Sequence, residues 1–418
     1  MRIKISSLGC RLNQSEIESV STVLQEKGHV ITRNDDADIY IINACAVTVH
    51  SERKTRKLIN QSIKAIAGES EKKIIVTGCT GDETIADGNI TYLSNDHKHL
   101  IPEIIENEIQ AADINEEMSA RFDYQTPLKA STTRINLKVQ DGCDRFCSYC
   151  IIPYMRGGPQ SKPLKNAVDE FKKLVDAGYK EIVLTGVMIG NYSWENSDLG
   201  NLVEKLLEQK GEYRIHLASI SPTSVDDRLI DLFTHEKMVR HINLSLQSGS
   251  NRILEKMNRH YTRESYLNLV NKIRKKISLF NFTTDIIVGF PGESDDDFND
   301  TLKLIKDAKF SHIHTFRYSP RPGTKAFELG DSVHESIKKE RSRQVIELYT
   351  KQKHEFYKKF NGLESIIITE KAKKDYTPGF NEYYVPVQVE GKQKRNIFLK
   401  VKTYYDKSRA VLSAKTTV

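Results

Sequence analysis

Tryptophan occurs once in 418 residues, cysteine only six times, and no apolar run approaches the length needed to cross a bilayer. The amino terminus, MRIKISSLGC, starts basic but holds no secretory h-region. These absences argue against a helical membrane protein or a secreted one, and the expected location is the cytoplasm. Thiols are kept reduced there, so the six cysteines are expected to be metal ligands or catalytic groups rather than a disulfide framework. A strong excess of one charge is also missing, the net +7 being modest for the length. Its distribution is uneven. Residues 361–418 hold 11 Lys/Arg against 6 Asp/Glu, and so carry five of the seven net charges. That segment is the first place to look for a polyanion contact, against the alternative of a merely solubilising lysine surface.

A chain this long exceeds one hydrophobic core, so two or three domains are expected. Within residues 1–110, IKISSLGC, ADIYIINAC and KKIIVTGC are strand-like. Between them, Gln14 to Lys27 and Ser51 to Ala67 are helical and close on Gly28 and Gly68. The alternation implies a parallel α/β sheet. Its strands end in or just before Cys10, Cys45 and Cys79, and strand carboxyl ends in such sheets face one crevice, so the three thiols should converge. Residues 105–132 read as a polar boundary.

From 130 to 358, the runs RINLKVQDGC, EIVLTGV, RIHLASI, HINLSLQSG, FTTDIIVGF and HIHTFRYSP recur with helical spans between them. This is βα spacing, so a partial (β/α) barrel is expected with Ser294 capping one helix. Its working face should lie at the strand ends, beside Cys143, Thr185, Gly186, Gln247, Gly289 and Pro320. A charged helix from Glu335 to Phe360 leads to residues 361–418. There SIIIT, YYVPVQVEG, RNIFLKVKTYY and AVLSAK predict a small antiparallel β-barrel.

The stretch DGCDRFCSYC places Cys143, Cys147 and Cys150 in a C-x-x-x-C-x-x-C spacing. A structural zinc site wants four closed ligands, and no histidine lies in this loop to supply the fourth. An iron-sulfur cube held by three thiolates leaves one iron open to an outside ligand. Two trios, one local and one assembled at strand ends, would make two such clusters.

The local trio, with Tyr149 before its last cysteine, resembles the signature of radical S-adenosylmethionine enzymes. The whole chain resembles the methylthiotransferase family of that class. The motifs are LGCRLNQSE, NACAVT, TGC, DGCDRFCSYCIIPYMRG, LSLQSGSNRILEKMNRHYTRESY, TDIIVGFPGES, YSPRPGT and the basic β-rich tail. The resemblance implies an amino-terminal domain with an auxiliary 4Fe-4S cluster on Cys10, Cys45 and Cys79. It also implies a radical core with a second 4Fe-4S cluster on Cys143, Cys147 and Cys150, and an RNA-binding TRAM barrel. CAVT and LTGV bring it nearest the branch acting on threonylcarbamoyladenosine in tRNA. TGDE after Cys79 and Lys162 in GGPQSK depart from the usual pattern.

On this resemblance the open iron of the local cluster chelates S-adenosylmethionine, whose reductive cleavage yields a deoxyadenosyl radical. The auxiliary cluster delivers a methylated sulfur to C2 of adenine. Tyr149 is expected around the cofactor together with Thr185, Gly186, Ser219, Gln247, Ile287 and Val288, each of these strand-end residues with packing or turn geometry as its alternative. Arg317 and Arg321 are candidates for a threonyl carboxylate, or else partners of a domain-interface carboxylate. Lys392, Lys394 and Arg395, with Lys400 and Lys402, interleave with Tyr383, Tyr384, Phe398, Tyr404 and Tyr405, as structured RNA with an exposed loop would require. About half of those aromatics should instead be barrel core, given strand alternation. Implied partners are the anticodon stem-loop of tRNA, a flavodoxin- or ferredoxin-like electron donor and a sulfur donor, with neither membrane nor DNA. Alternatives are methylthiolation of isopentenyladenosine or of a ribosomal protein, and a non-catalytic iron-sulfur RNA-binding protein.

Overall fold

The computed structural model describes residues 1–79, 85–128 and 132–416, the side chains of 85–87 and 416 excepted. The TGDE departure after Cys79 lies outside the described residues. The amino-terminal sheet runs in the order Val30–Thr32, Arg2–Ser7, Ile39–Ala44, Lys73–Gly78, Ile90–Tyr92, Ile85–Asp87, parallel except for the last pair. Ile39–Ala44 is buried throughout, as a central strand covered on both faces must be. Alternation divides its neighbours cleanly. Ile39, Ile41 and Ile75 pack with Ile17, Val20 and Leu24 of the helix Arg11–Glu26, whereas Tyr40, Ile42, Ile74 and Val76 pack with Leu58, Ile59 and Ile66 of the helix Val49–Ile66. The first helix begins at Arg11, three residues before the sequence expectation, with Cys10 itself as its extended N-cap residue.

Six parallel strands follow as expected: Arg134–Lys138, Glu181–Thr185, Arg214–Leu217, His241–Asn243, Asn281–Val288 and His312–Arg317. They form two three-stranded sheets, joined by a bridge between Ile220 and Leu244 into one open barrel. Outward residues such as Ile135, Leu137, Ile182, Leu184, Ile242, Phe282, Ile286 and Val288 share a single core with the covering helices. Each such side chain contributes about 1.5–3 kcal/mol on burial, so the outer layer holds the fold. The inner positions, including Thr185, His216, His241, Asn243, Thr283 and Asp285, are left polar and line a cavity. Ser294 caps Asp295–Ala308 through a capping box with Asp297, as the sequence suggests.

The helix Glu335–Lys358 carries Phe356 and Tyr357 into the core of a closed five-stranded barrel. Its strands are Glu364–Thr369, Tyr376–Phe380, Pro386–Glu390, Phe398–Asp406 and Val411–Thr416. The second of these, YTPGF, was not legible as a strand because it carries both proline and glycine. Nor is the barrel wholly antiparallel, since Pro386–Glu390 pairs in parallel with Val411–Thr416. It docks where the strands of the open (β/α) barrel begin: Arg214 Nη2 donates to the Phe380 carbonyl at 2.9 Å, and the Arg240 N–H to the Glu382 carbonyl at 2.8 Å. Among the described residues no helix is long and apolar enough to cross a membrane.

Candidate active site

The local trio sits on a loop that folds back on itself. Gly142 has φ +70°, and a β-carbon there would lie 1.9 Å from the Gly158 carbonyl oxygen, so only glycine lets Cys143 N–H reach the Gly157 carbonyl at 3.0 Å. Ser148 pins the middle of the loop, its N–H donating to Met257 O and its Oγ to Lys256 O. Arg259 Nη1 donates to Cys147 Sγ at 3.3 Å, and the Arg145 N–H faces Cys143 Sγ at 3.5 Å. Burial, reinforced by the neighbouring thiols, pushes the Cys150 thiol up to about 12, and burial raises Cys143 as well. Arg259 belongs to a motif noted in the sequence, but nothing there marked it as the cation beside a cysteine.

The assembled trio arises from three strand ends. Gly78 has φ +100°, and a β-carbon there would be 2.4 Å from the Ala44 carbonyl oxygen. With glycine in place, Cys79 N–H donates to that carbonyl at 3.2 Å, which draws the second and third cysteines together. A β-carbon on Gly9 would lie 3.1 Å from Cys45 Cβ, so the Cys10 turn closes on the same spot. Burial raises the Cys45 thiol, and the charges of Cys79 and Cys10 push in the same direction.

Between the trios lies a buried charge network. Glu16 Oε1 meets Lys138 Nζ at 2.6 Å and Arg156 Nη1 at 3.0 Å, and its Oε2 meets Lys98 Nζ at 2.5 Å. Asp141 completes the set through Lys138 at 2.6 Å and Arg156 at 2.9 Å. Arg156 Nη2 also donates to Asn13 at 2.6 Å and Asn95 at 3.4 Å. Burial works to raise the Glu16 pKa, but Arg156, Lys138 and Lys98 hold it well below the usual carboxylate range. Three cations against two carboxylates leave one buried positive charge, and both Lys98 and Arg156 feel Cys79 electrostatically. None of this network was named from the sequence.

A cavity of about 800 Å³ brings Cys10, Cys45 and Cys79 together with Thr185, Gly186 and Ser219. Thr185 and Gly186 end one barrel strand, and Ser219 accepts from Asn243 Nδ2 at 2.6 Å. Gln247 holds a strand end through its backbone, accepting from the Ile287 N–H at 3.0 Å and donating its N–H to Asp285 O at 2.8 Å. Tyr149 and Ile287 pack on the same group, formed by Ile253, Met257, Phe290, Tyr318 and Ala326. Val288 is turned outward into the helix-facing core.

The two arginine candidates are engaged elsewhere. Arg321 bridges to Glu52 at 2.8 Å and to the Ala46 carbonyl, and Arg317 pairs with Glu335. Lys162, the departure noted above, pairs with Glu170. On the carboxyl-terminal barrel, Lys392, Lys394, Lys400, Lys402 and Tyr404 are exposed, while Arg395 Nε donates to Thr133 at 2.8 Å. Tyr383 and Tyr405 pack against the barrel core. Tyr384 enters the central open barrel, with His216 and His241 rings 4.5 and 4.7 Å from its own.

Among the described residues no group of three His, Cys, Asp or Glu closes on a single metal ion. A cubane differs, since its ligating sulfurs are spread over the corners of an inorganic core. The donor chemistry suits such a group at both places: trios of thiols, N–H donors aimed at sulfur in the local loop, and an unbalanced buried cation beside Cys79 that an anionic thiolate centre would offset.

Residues 137–305 match the Radical SAM superfamily, and residues 2–88 match the Uncharacterized protein family UPF0004. The chain is 37% identical over 409 residues to the threonylcarbamoyladenosine tRNA methylthiotransferase MtaB of Aquifex aeolicus, covering 94% of this chain and 97% of the relative. Identity to the Bacillus subtilis protein of the same name is 33%, over 93% of this chain and 90% of that one. The tRNA-2-methylthio-N(6)-dimethylallyladenosine synthase of Pelotomaculum thermopropionicum is 34% identical over 91% and 88%. Among solved structures, the radical S-adenosylmethionine methyltransferase TsrM from Kitasatospora setae aligns with TM-score 0.57 at 13% identity, over 78% of this chain and 76% of that one, which shows a shared fold. Motif order, strand topology and near full-length identity agree, and the chain belongs to the radical S-adenosylmethionine methylthiotransferase family.

Proposed function

We propose that this chain adds a methylthio group to C2 of N6-threonylcarbamoyladenosine beside the anticodon, at position 37 of tRNA, using S-adenosylmethionine and two 4Fe-4S clusters. The observation that carries this reading is the shared cavity: Cys10, Cys45 and Cys79 line it together with the barrel residues Thr185, Gly186 and Ser219. The near full-length identity to threonylcarbamoyladenosine tRNA methylthiotransferases supports the choice of substrate.

Cys143, Cys147 and Cys150 would hold a cluster able to supply the electron that cleaves S-adenosylmethionine, and Cys10, Cys45 and Cys79 would hold one able to supply sulfur for C2. The chain's own part is to orient and to shield. Arg259 places a fixed positive charge at Cys147, and Tyr149 and Ile287 offer apolar surface beside the loop. Thr185, Gly186 and Ser219 present polar strand ends to the cofactor's organic part. The barrel encloses the reacting carbon away from bulk water, as radical chemistry requires. Lys392, Lys394, Lys400, Lys402 and Tyr404 give the carboxyl-terminal barrel phosphate and stacking contacts for an anticodon stem-loop. A flavodoxin- or ferredoxin-like protein donates the electrons, a separate donor replaces the sulfur, and the reaction takes place in the cytoplasm.

The test is mass spectrometry of tRNA nucleosides from a strain lacking this gene. Loss of 2-methylthio-N6-threonylcarbamoyladenosine, with the unmethylthiolated nucleoside accumulating, is expected. Loss of the methylthio-isopentenyl nucleoside instead would assign the other tRNA branch.

A further inference from the structure

The cavity is lined by three fixed cations and one carboxylate. Arg156 is already matched to Glu16 and Asp141, and the carboxylate, Asp285, accepts from Asn243 at 2.9 Å and Ser245 at 3.3 Å. Arg11 and Lys353 remain, and neither has a carboxylate partner among the described residues. Arg11 and Lys353 are therefore the cavity's cations without an ion pair, set beside the thiols of Cys10, Cys45 and Cys79 and an Asp285 held by neutral donors, and a guanidinium so placed has donors to offer an anionic group of the substrate. S-adenosylmethionine brings a carboxylate of its own, which a cluster held by Cys143, Cys147 and Cys150 would engage. The substrate proposed above brings a second, on the threonyl group.

Resting on that reading, we propose that Arg11 is the residue that binds the threonyl carboxylate and so selects the threonylcarbamoyl base. Arg11 directly follows Cys10 and opens the helix Arg11–Glu26, whose first turn contains no acidic residue. The unpaired N–H groups of that turn reinforce the positive potential around the guanidinium. The guanidinium is aimed by the carboxyl-terminal barrel: Nη2 donates to Tyr384 Oη at 3.0 Å. Tyr384 is itself held firmly, at φ +58°, stacked on Phe380 at 4.9 Å and flanked by the rings of His216 and His241. One edge of the fork is thereby fixed and the remaining donors are free for a bidentate carboxylate. Tyr384 is a positioning residue, and through it the RNA-binding barrel orients a group in the reaction cavity. Lys353, beside His312 and 5.3 Å from the Tyr357 ring, offers only a point charge and serves as the control.

The experiment measures binding of two anticodon stem-loops by fluorescence anisotropy on anaerobically reconstituted protein. One carries threonylcarbamoyladenosine, and the other carries the same base with its threonyl carboxylate converted to the amide. Wild type is expected to prefer the carboxylate about 10- to 100-fold, the range for a charge-assisted pair. Arg11→Gln should reduce that ratio to near one, Arg11→Lys should restore part of it, and Lys353→Met should preserve it. Because binding needs no turnover, the ratio is readable in an inactive variant. A ratio that survives Arg11→Gln, or that collapses in Lys353→Met, overturns the assignment. Should wild type show no preference yet methylthiolate the base, the anchor alone falls; should it not methylthiolate the base at all, the functional reading falls with it.

Discussion

The two cysteine trios are built by opposite routes. Cys143, Cys147 and Cys150 lie within eight consecutive residues, and one loop pinned through Ser148 and Gly142 suffices to gather them. Cys10, Cys45 and Cys79 come from three strand ends, and gather only because Arg2–Ser7, Ile39–Ala44 and Lys73–Gly78 are neighbours in parallel register. The local trio is a property of a segment, the assembled trio a property of the fold. Glu16 ties one to the other: it sits on the helix that follows Cys10 and grips Arg156, six residues beyond Cys150. That arrangement makes the spacing between the trios depend on a few buried charges.

Breaking that tie should have the largest effect on stability. Glu16→Gln leaves Lys98, Lys138 and Arg156 facing Asp141 alone in a buried setting. A loss of about 3–5 kcal/mol is expected in denaturant unfolding. Iron held by the assembled trio should fall before iron held by the local one.

Acid should sharpen the comparison from the side of the radical domain. Burial lowers the His216 pKa from 6.5 to about 4, although hydrogen bonding to Glu181 works against the shift. The fold therefore holds the neutral ring. The folded pKa lies below the unfolded one, so this stability is present above pH 6.5 and is lost as pH falls through 4. Roughly 3 kcal/mol should disappear over that window, read as a falling unfolding midpoint. Replacing His216 by Gln should flatten the profile.

Arg321→Ala should give the smallest effect. Its partner Glu52 is a third exposed, so about 1 kcal/mol is expected at the interface that carries the Cys45 strand end. The preference for a carboxylate-bearing stem-loop should not change. If that preference is lost, Arg321 acts on substrate rather than as an interface bridge.

Much of the fold was readable because apolar alternation and glycine stops are local signals. All six radical-domain strands and the two first helices follow from them, give or take a turn at Cys10. The local trio was readable from spacing alone. Convergence of the other three thiols followed from the rule for parallel sheets, and Gly78 shows why the approach is possible. What stayed hidden depends on long-range pairing. Glu16, Lys98, Lys138, Asp141 and Arg156 look like surface charges until their partners, up to 140 residues away, are known. The fate of the tail aromatics was hidden for the same reason: Tyr384 serves neither the RNA face nor the barrel core, but reaches Arg11 across 373 residues of sequence. Arg317 and Arg321 stood at the right strand end, yet Glu335 and Glu52 occupy them.

The central claim is that each trio holds its own iron-sulfur cluster. Iron and acid-labile sulfide, counted in anaerobically reconstituted protein, test it most directly. About eight irons per chain are expected in wild type, and about four when either Cys10, Cys45 and Cys79 or Cys143, Cys147 and Cys150 are all replaced by alanine. A Cys10→Ala, Cys45→Ala, Cys79→Ala variant that kept the wild-type iron content would contradict it.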